Sequence, residues 1–413
     1  MAKRSKKPTT AKSKSSPSTS PRRVGEKVEA SQIKRDIPDH DGQWQNAGWR
    51  GRVRRQLLAW FDQNAREMPW RRHPEPYHVW VSEIMLQQTQ VATVLPYFDR
   101  FLASFPTIAD LAAADESTLM AHWEGLGYYR RARSLHAAAK LIVDQHDGIF
   151  PTRLEDVLAL PGIGRYTAGA ILSISGDQKL PILEGNTQRV FSRWIALRQS
   201  PLQKSANTLL WTVAEKMLPP TGSGRFNQAA MELGALICTP RQPNCQQCPV
   251  KRSCAAQREN LQDEIPGKVS KTKYEDRTEF ALVIAKATGK RDNDDPHYLM
   301  RPLPEGSRWA GLWDFPRPTE TAYESVTSAG DWLSDELGVS VQTGIRLKTI
   351  RHAVTKYRIS LQVHVASVTK SRKKLPAPWQ YVTLREMAQL PMSVTARQIT
   401  EFLQSDPQRK LPL

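Results

Sequence analysis

Long hydrophobic runs are missing from this sequence. No segment reaches the roughly 18 apolar residues that cross a bilayer as a helix, which sets aside an integral membrane protein. The basic residues at the N-terminus are followed by no apolar stretch, so no secretory signal is visible. Cysteine is scarce, four in 413 residues, too few for a disulfide-stapled secreted fold. Acidic residues are in deficit: 41 Asp and Glu stand against 59 Lys and Arg, a formal charge of +18. That surplus favours a polyanion as partner, nucleic acid ahead of a membrane surface. No internal repeat recurs at a fixed period. A length of 413 residues suggests two or three domains.

Composition divides the chain. Residues 1–43 read as a disordered basic tail, rich in Lys, Arg, Ser, Thr and Pro; they lack the apolar content for a core. A nonspecific DNA-binding arm, a nuclear or organellar address and a merely solvated tail all fit. Residues 44–255 read as an all-α domain, with amphipathic segments over 52–66, 79–103, 107–122 and 130–146 and frequent Gly and Pro between them. Residues 256–276 are polar and read as a linker. Residues 277–413 carry short β-branched and apolar runs (TEFALVIAKA, HYLMRPL, YRISLQVHVASV) with helices near 322–337 and 395–404, a smaller α+β domain.

All four cysteines fall close together, as Cys238, Cys245, Cys248 and Cys254, in the spacing C-x6-C-x2-C-x5-C. Four thiolates so near in sequence can surround one metal centre, and they suit zinc or an iron–sulfur cluster. Zinc spacings usually come as two short pairs; a single short pair tilts toward iron–sulfur. Arg241, Lys251 and Arg252 in the same loops are placed to meet a DNA backbone or simply water. Upstream, LPGIGRYTAGA (residues 160–170) sets a glycine turn, Gly162 and Gly164, between two helices. Such a turn permits close backbone approach, and a helix N-terminus binds phosphate; a plain helix connection is the alternative. In WVSEIMLQQTQVATVL, Trp80, Ile84, Val91 and Leu95 line one side of a helix. Glu83, Gln87 and Gln90 form a polar stripe beside them. A carboxyl in such apolar surroundings has a raised pKa, although a solvent-facing glutamate is the commoner reading of periodicity alone. The many Trp near the domain start (44, 49, 60, 70 and 80) suit core packing more than base stacking.

The LPGxGR hairpin ahead of a C-x6-C-x2-C-x5-C cluster resembles the endonuclease III superfamily of DNA glycosylases. Within it, residues 70–98 (WRRHPEPYHVWVSEIMLQQTQVATVLPYF) and 123–135 (WEGLGYYRRARSL) resemble the adenine glycosylases of MutY type. The resemblance implies a helix–hairpin–helix domain with a 4Fe–4S cluster on the four cysteines, and a Nudix-like second domain that reads 8-oxoguanine. It makes Glu83 the general acid, Gln88 and Tyr128 side chains that enter the duplex, and Gly162 and Gly164 phosphate contacts. Glu184, in PILEGNTQ, falls where the family has Asp in ILDGN, so the charge is kept with one methylene more. It is expected to stabilise an oxocarbenium-like sugar, with Asn186 holding the carboxylate or sugar. Tyr166 stands where the lyase-active members of the superfamily carry Lys; without an amine there is no Schiff base, which points to a monofunctional enzyme that uses water.

In the second domain RPLPEGSRWAGLWDFPRP (residues 301–318) resembles the family's β-hairpin. A hydrolytic Nudix motif aligned on Gly338 keeps Asp335, Glu336 and Val339 but places Asp331 and Trp332 where Arg and Glu belong, so no pyrophosphatase activity is expected. Val354, Thr355 and Lys356 take the positions of the family's Phe-Ser-His reading loop, where Thr355 keeps a hydroxyl for the lesion edge. The expected partner is double-stranded DNA with A:8-oxoguanine or A:G mispairs, met by a monomer without a membrane, in a bacterial cytoplasm or else a nucleus or organelle. The competing readings are a bifunctional pyrimidine-damage glycosylase/lyase of endonuclease III type and, because of Glu184, a non-catalytic lesion-binding protein.

Overall fold

The computed structural model describes residues 39–267, 273–286, 296–318, 324–369 and 374–405. Most of the expected basic tail lies outside the described residues. The first domain is built from α1 (Ala47–Asn64), α2 (Pro69–Arg72), α3 (Pro76–Leu86), α4 (Val91–Ser104), α5 (Ile108–Ala113), α6 (Glu116–Trp123), α7 (Arg130–Gln145), α8 (Leu154–Ala159), α9 (Arg165–Gly176), α10 (Gly185–Trp194), α11 (Lys204–Met217), α12 (Ser223–Leu236) and α13 (Ala255–Arg258). These helices form two lobes with separate cores. One gathers Trp80, Phe98, Phe101, Leu111 and Trp123. The other gathers Val53, Leu57, Phe191, Leu210 and Phe226, so that α1 closes onto α10, α11 and α12 from much later in the chain. Trp44, Trp49, Trp70 and Trp80 are all buried. Truncating a side chain such as Trp80 would cost about 3–5 kcal/mol.

Two segments expected as single helices are each broken. The stretch 79–103 is α3 and α4, separated at Gln87–Gln90, where Gln88 turns to a positive φ of 57°. Gln87 and Gln90 therefore do not extend a stripe from Glu83; they sit at the two ends of the break. The apolar period runs on because both helices bury their faces in the same lobe. What ends α3 is tertiary: the Arg131 guanidinium on α7 takes the carbonyls of Ile84, Met85 and Gln87 at 2.6–2.8 Å. The stretch 107–122 is likewise α5 and α6, each started by its own cap, Thr107 and Asp115. In the expected linker, Ala256, Leu261 and Ile265 are buried with Ala196 and Ala255, so the chain up to Ile265 packs on the first domain. Three apolar residues among charged ones are too sparse to register as a periodic pattern.

The second domain contains β1 (Glu275–Lys286), β2 (His297–Pro302), β3 (Trp313–Asp314), α14 (Val326–Leu337), β4 (Val341–Val354), β5 (Tyr357–Val368), β6 (Gln380–Thr383), α15 (Leu384–Met387) and α16 (Val394–Ser405). The sheet order is β3-β2-β1-β5-β4, with β6 on β2. β1 runs parallel to β5, and β4 and β5 form an antiparallel hairpin with Val354 opposite Tyr357. One sheet face packs Leu282 and Leu299 against Leu333 and Leu337 of α14. The other packs Val363 and Phe315 against Met387 and Ile399. The loop between β2 and β3 reaches across to the helical domain, where Leu312 joins the first core. Among the described residues no helix is long and apolar enough to cross a membrane.

Candidate active site

The cleft between the two helical lobes holds a cavity of about 560 Å³, walled in part by Glu83, Tyr166, Glu184 and Asn186. Glu83 comes from α3, whose apolar faces are packed on every side, and the residue is only 5% exposed. Tyr166, in the first turn of α9, donates its hydroxyl hydrogen to Glu83 Oε2 at 2.6 Å. Burial pushes the Glu83 carboxyl up to about 7; the nearby Glu184 charge adds to this, while Tyr166 and Arg71 oppose it. Tyr166 is driven well above its ordinary value by burial and the two carboxylates, so it stays a hydroxyl donor.

Glu184 is the N-cap of α10. Its Oε2 accepts the Asn186 backbone N–H at 2.8 Å and its Oε1 the Thr187 N–H at 2.9 Å. The Thr187 hydroxyl in turn accepts the Glu184 N–H. Short side chains usually fill this position; here the longer glutamate folds back to reach the same amides. Burial leaves its carboxyl raised above the ordinary value, with the Asn186 and Thr187 N–H groups and Arg189 opposing that shift. The pair therefore sits in unequal surroundings: Glu83 faces one hydroxyl in an apolar wall, whereas Glu184 faces the positive end of a helix. Such inequality is how two neighbouring carboxyl groups are given different roles. Asn186 is fixed by Arg189, whose Nη2 donates to Asn186 Oδ1 at 2.8 Å. Gly234 makes room for it, since a Cβ there would come within 2.7 Å of Asn186 Cβ.

Sequence reasoning missed the opposite wall of this cavity. Glu232 on α12, with its side chain 1% exposed, accepts Arg66 Nε at 2.8 Å and Arg71 Nη2 at 2.9 Å. It also accepts the Arg66 backbone N–H at 3.0 Å. Burial alone would raise its carboxyl, but the hydrogen bonds from Arg66 and Arg71 bring it down to about 2. The partners lie 161 and 166 residues away, beyond the reach of any local pattern. Because the native value lies below the ordinary 4.5, this group stabilises the fold above pH 4.5. The contribution is lost as pH falls toward 2. Glu232→Gln is expected to cost about 3 kcal/mol and to flatten that acid slope, as read by urea melts at neutral pH and again inside the window below 4.5.

The residues expected to meet DNA line a second cavity, of about 800 Å³, between the two domains. Gln88, Tyr128, Gly162 and Thr355 all border it. Gln88, Tyr128 and Thr355 have positive φ angles of 57°, 48° and 53°, an uncommon conformation for such residues that tends to cluster at functional sites. Arg131 explains the first two. Besides the α3 carbonyls, its Nη2 donates to Leu126 O and Gly127 O at 3.0 and 3.1 Å, and its guanidinium stacks beneath the Tyr128 ring. One half-buried cation thus ties the Gln88 turn to the Tyr128 turn. Gly162 requires its glycine: φ is 81° and a Cβ would lie 2.6 Å from Ser134 Cβ. Gly164 does not border this cavity; it is the N-cap of α9, with no side chain capping the helix. The Thr355 hydroxyl donates to Val354 O at 2.7 Å, and Lys356 pairs with Glu275 at 2.6 Å.

The four cysteines are free and half-buried, and they lie within each other's electrostatic reach. Burial pushes Cys248 and Cys254 up to about 12 each, so both are neutral at pH 7 unless a metal's charge holds the thiolate. Among the described residues no three or more His, Cys, Asp or Glu side chains converge on a single-ion site. Arg193 donates to Cys238 Sγ at 3.3 Å, and Arg189 Nε to Cys238 O at 2.6 Å. Arg189 therefore spans from the cysteine loop to Asn186 in the first cavity. Arg241, Lys251 and Arg252 are exposed.

Comparison with known proteins places this fold in a class. The model of the HhH-GPD superfamily of base excision DNA repair proteins matches residues 81–216, and a NUDIX domain model matches residues 290–401. An adenine DNA glycosylase of Buchnera aphidicola subsp. Schizaphis graminum is 38% identical over 278 residues, covering 67% of this chain and 76% of that one. The human adenine DNA glycosylase is 40% identical over 270 residues, covering 63% of this chain and 48% of that one. The rat protein of the same name is 45% identical over 212 residues, covering 49% and 41%. The chain belongs to the adenine DNA glycosylase family. The matched stretch spans less than half the length of the human and rat relatives.

Proposed function

We propose that the chain is a monofunctional adenine DNA glycosylase of base excision repair, acting on double-stranded DNA in which adenine is mispaired with 8-oxoguanine or guanine. The observation that carries this is the unequal carboxylate pair, Glu83 buried with Tyr166 and Glu184 on the α10 N-terminus, in one cavity. The adenine leaves the stack and enters this cavity. Protonated Glu83 gives its proton to the departing base as the N-glycosidic electron pair leaves with it. The sugar becomes oxocarbenium-like and is stabilised by the Glu184 carboxylate, which Asn186 helps to position. Water adds to the anomeric carbon and its proton returns to Glu83, leaving an abasic site. Among the described residues the cavity wall carries no lysine, so this route runs without a Schiff base. Gln88 and Tyr128 enter the duplex, Gly162 and Gly164 hold phosphate, and Thr355 reads the opposite base.

In this reading Cys238, Cys245, Cys248 and Cys254 would hold a 4Fe–4S cluster, whose charge would keep the thiolates ionised; Arg189 and Arg193 of α10 donate to the Cys238 carbonyl and sulfur and tie the cysteine loop to that helix. The protein acts as a monomer where DNA is kept, in a nucleoid or a nucleus.

A second reading rests on one observation: both Glu184 oxygens are taken up by backbone amides. If they stay so, the site flips and holds adenine without releasing it. Single-turnover adenine release separates the two, with A opposite 8-oxoguanine, guanine or thymine, each with and without alkali. Strand breaks only after alkali, fastest for A:8-oxoguanine, support the glycosylase. Tight binding with no release supports the lesion-binding protein, and breaks without alkali overturn the monofunctional assignment.

A further inference from the structure

The two domains meet at two anchors. At the first, the loop before Leu312 enters the helical core, and Arg133 donates to the Ala310 carbonyl and pairs with Glu116. At the second, Glu124 meets α16. Arg397 grips its carboxylate with Nε and Nη2 at 2.7 and 2.8 Å, and the Met392 N–H donates to it at 3.2 Å. Arg397 also donates to the carbonyls of Met387 and Leu390, both at 2.9 Å, so it is fixed within its own domain as well. Both partners are largely buried, with side chains 25% and 18% exposed, and a bidentate pair of this kind constrains orientation as well as distance.

The position of Glu124 matters more than the strength of the pair. It follows α6 directly and opens the turn Gly125–Tyr129 that carries Tyr128. Its backbone carbonyl is held by the Tyr97 hydroxyl at 2.7 Å. On the other side, Arg397 adjoins Val394, Thr395 and Gln398, which border the same interdomain cavity as Tyr128 and Thr355. The contact therefore spans 273 residues of sequence to tie the turn of Tyr128 to the domain that bears Thr355.

We infer that the Glu124–Arg397 bridge is a specificity device: it holds the reading domain in register with the turn that enters the duplex, so that the opposite base is sensed as the adenine is extruded. The inference rests on the glycosylase reading above. Glu124 and Arg397 touch neither the base nor the reacting atoms, so they are positioning residues. Loss of the bridge then removes discrimination while the chemistry in the other cavity is untouched.

The test uses the full chain as wild type, Arg397→Gln, Glu124→Gln and the conservative Arg397→Lys. Single-turnover adenine release and duplex Kd are measured on A:8-oxoguanine and A:G. Arg397→Gln is expected to cut the preference for A:8-oxoguanine about tenfold, within the usual range of coupling between sites, with the A:G rate constant unchanged. Arg397→Lys, which keeps a cation facing Glu124 and the two carbonyls, should retain part of the preference, and the unchanged A:G rate shows that the variants are folded. Unchanged preference in both glutamine variants, or an equal fall on both duplexes, overturns the inference. If the wild type releases no adenine, the glycosylase reading fails instead, and the ratio of the two Kd values still decides whether the bridge sets discrimination.

Discussion

Glu83→Gln is expected to slow adenine release from an A:8-oxoguanine duplex by about a thousandfold, within the usual contribution of a positioned general acid, while duplex binding is retained. The amide keeps the shape of the side chain and can still accept the Tyr166 hydroxyl, but it has no proton to deliver. With the wild-type carboxyl near 7, the rate should be flat below that pH and fall about tenfold per unit above it, once most of the acid is spent. The same shift has a signature in stability. A carboxyl raised above its ordinary 4.5 favours the native state fully below that pH, and the advantage is lost as pH rises through about 7. The neutral amide has no such slope. Glu83→Gln should therefore be at least as stable as wild type at pH 8, by thermal melting, although inactive. A folded variant that releases adenine at the wild-type rate would remove Glu83 from the chemistry and return it to the core.

Glu184→Gln should cost about 100–1,000-fold in release, the usual effect of removing one electrostatic stabiliser of a transition state. Glu184→Ala should lose a similar factor and, in addition, about 1 kcal/mol of stability as the α10 cap disappears. Glu184→Asp separates the two duties. The shorter side chain reaches the Asn186 and Thr187 amides as an ordinary N-cap and keeps the charge, so it should remain stable and within about tenfold of the wild-type rate, less than the loss that follows a gross misplacement. Wild-type release from Glu184→Gln would mean that the carboxylate serves the helix alone, as its two backbone hydrogen bonds already allow. These comparisons need single-turnover rates beside melting curves, because rate alone cannot tell a lost cap from a lost charge.

Much of the molecule was legible in one dimension. The two-domain division, the helical and α+β classes, the glycine hairpin and the cysteine spacing are local features, set by residues within a turn or two of each other. So are SEIMLQQTQ, LEGNT and EGLGYY, whose resemblance to family motifs marks Glu83, Gln88, Glu184, Asn186 and Tyr128 as candidates before any fold is known. Folding decided the rest. Whether Glu83 faces water or an apolar wall depends on what packs over α3, and periodicity cannot show this. The break after Leu86 depends on a guanidinium 44 residues away from Gln87. The Glu232 pair with Arg66 and Arg71, and the bridge from Glu124 to Arg397, join residues whose spacing carries no pattern. Sequence by itself determined which chemical groups this protein has and which helices and strands bear them. Tertiary structure alone decided which of those groups are desolvated, which are paired, and hence which hold a proton near neutral pH, because burial and charge pairing are properties of contacts between distant segments.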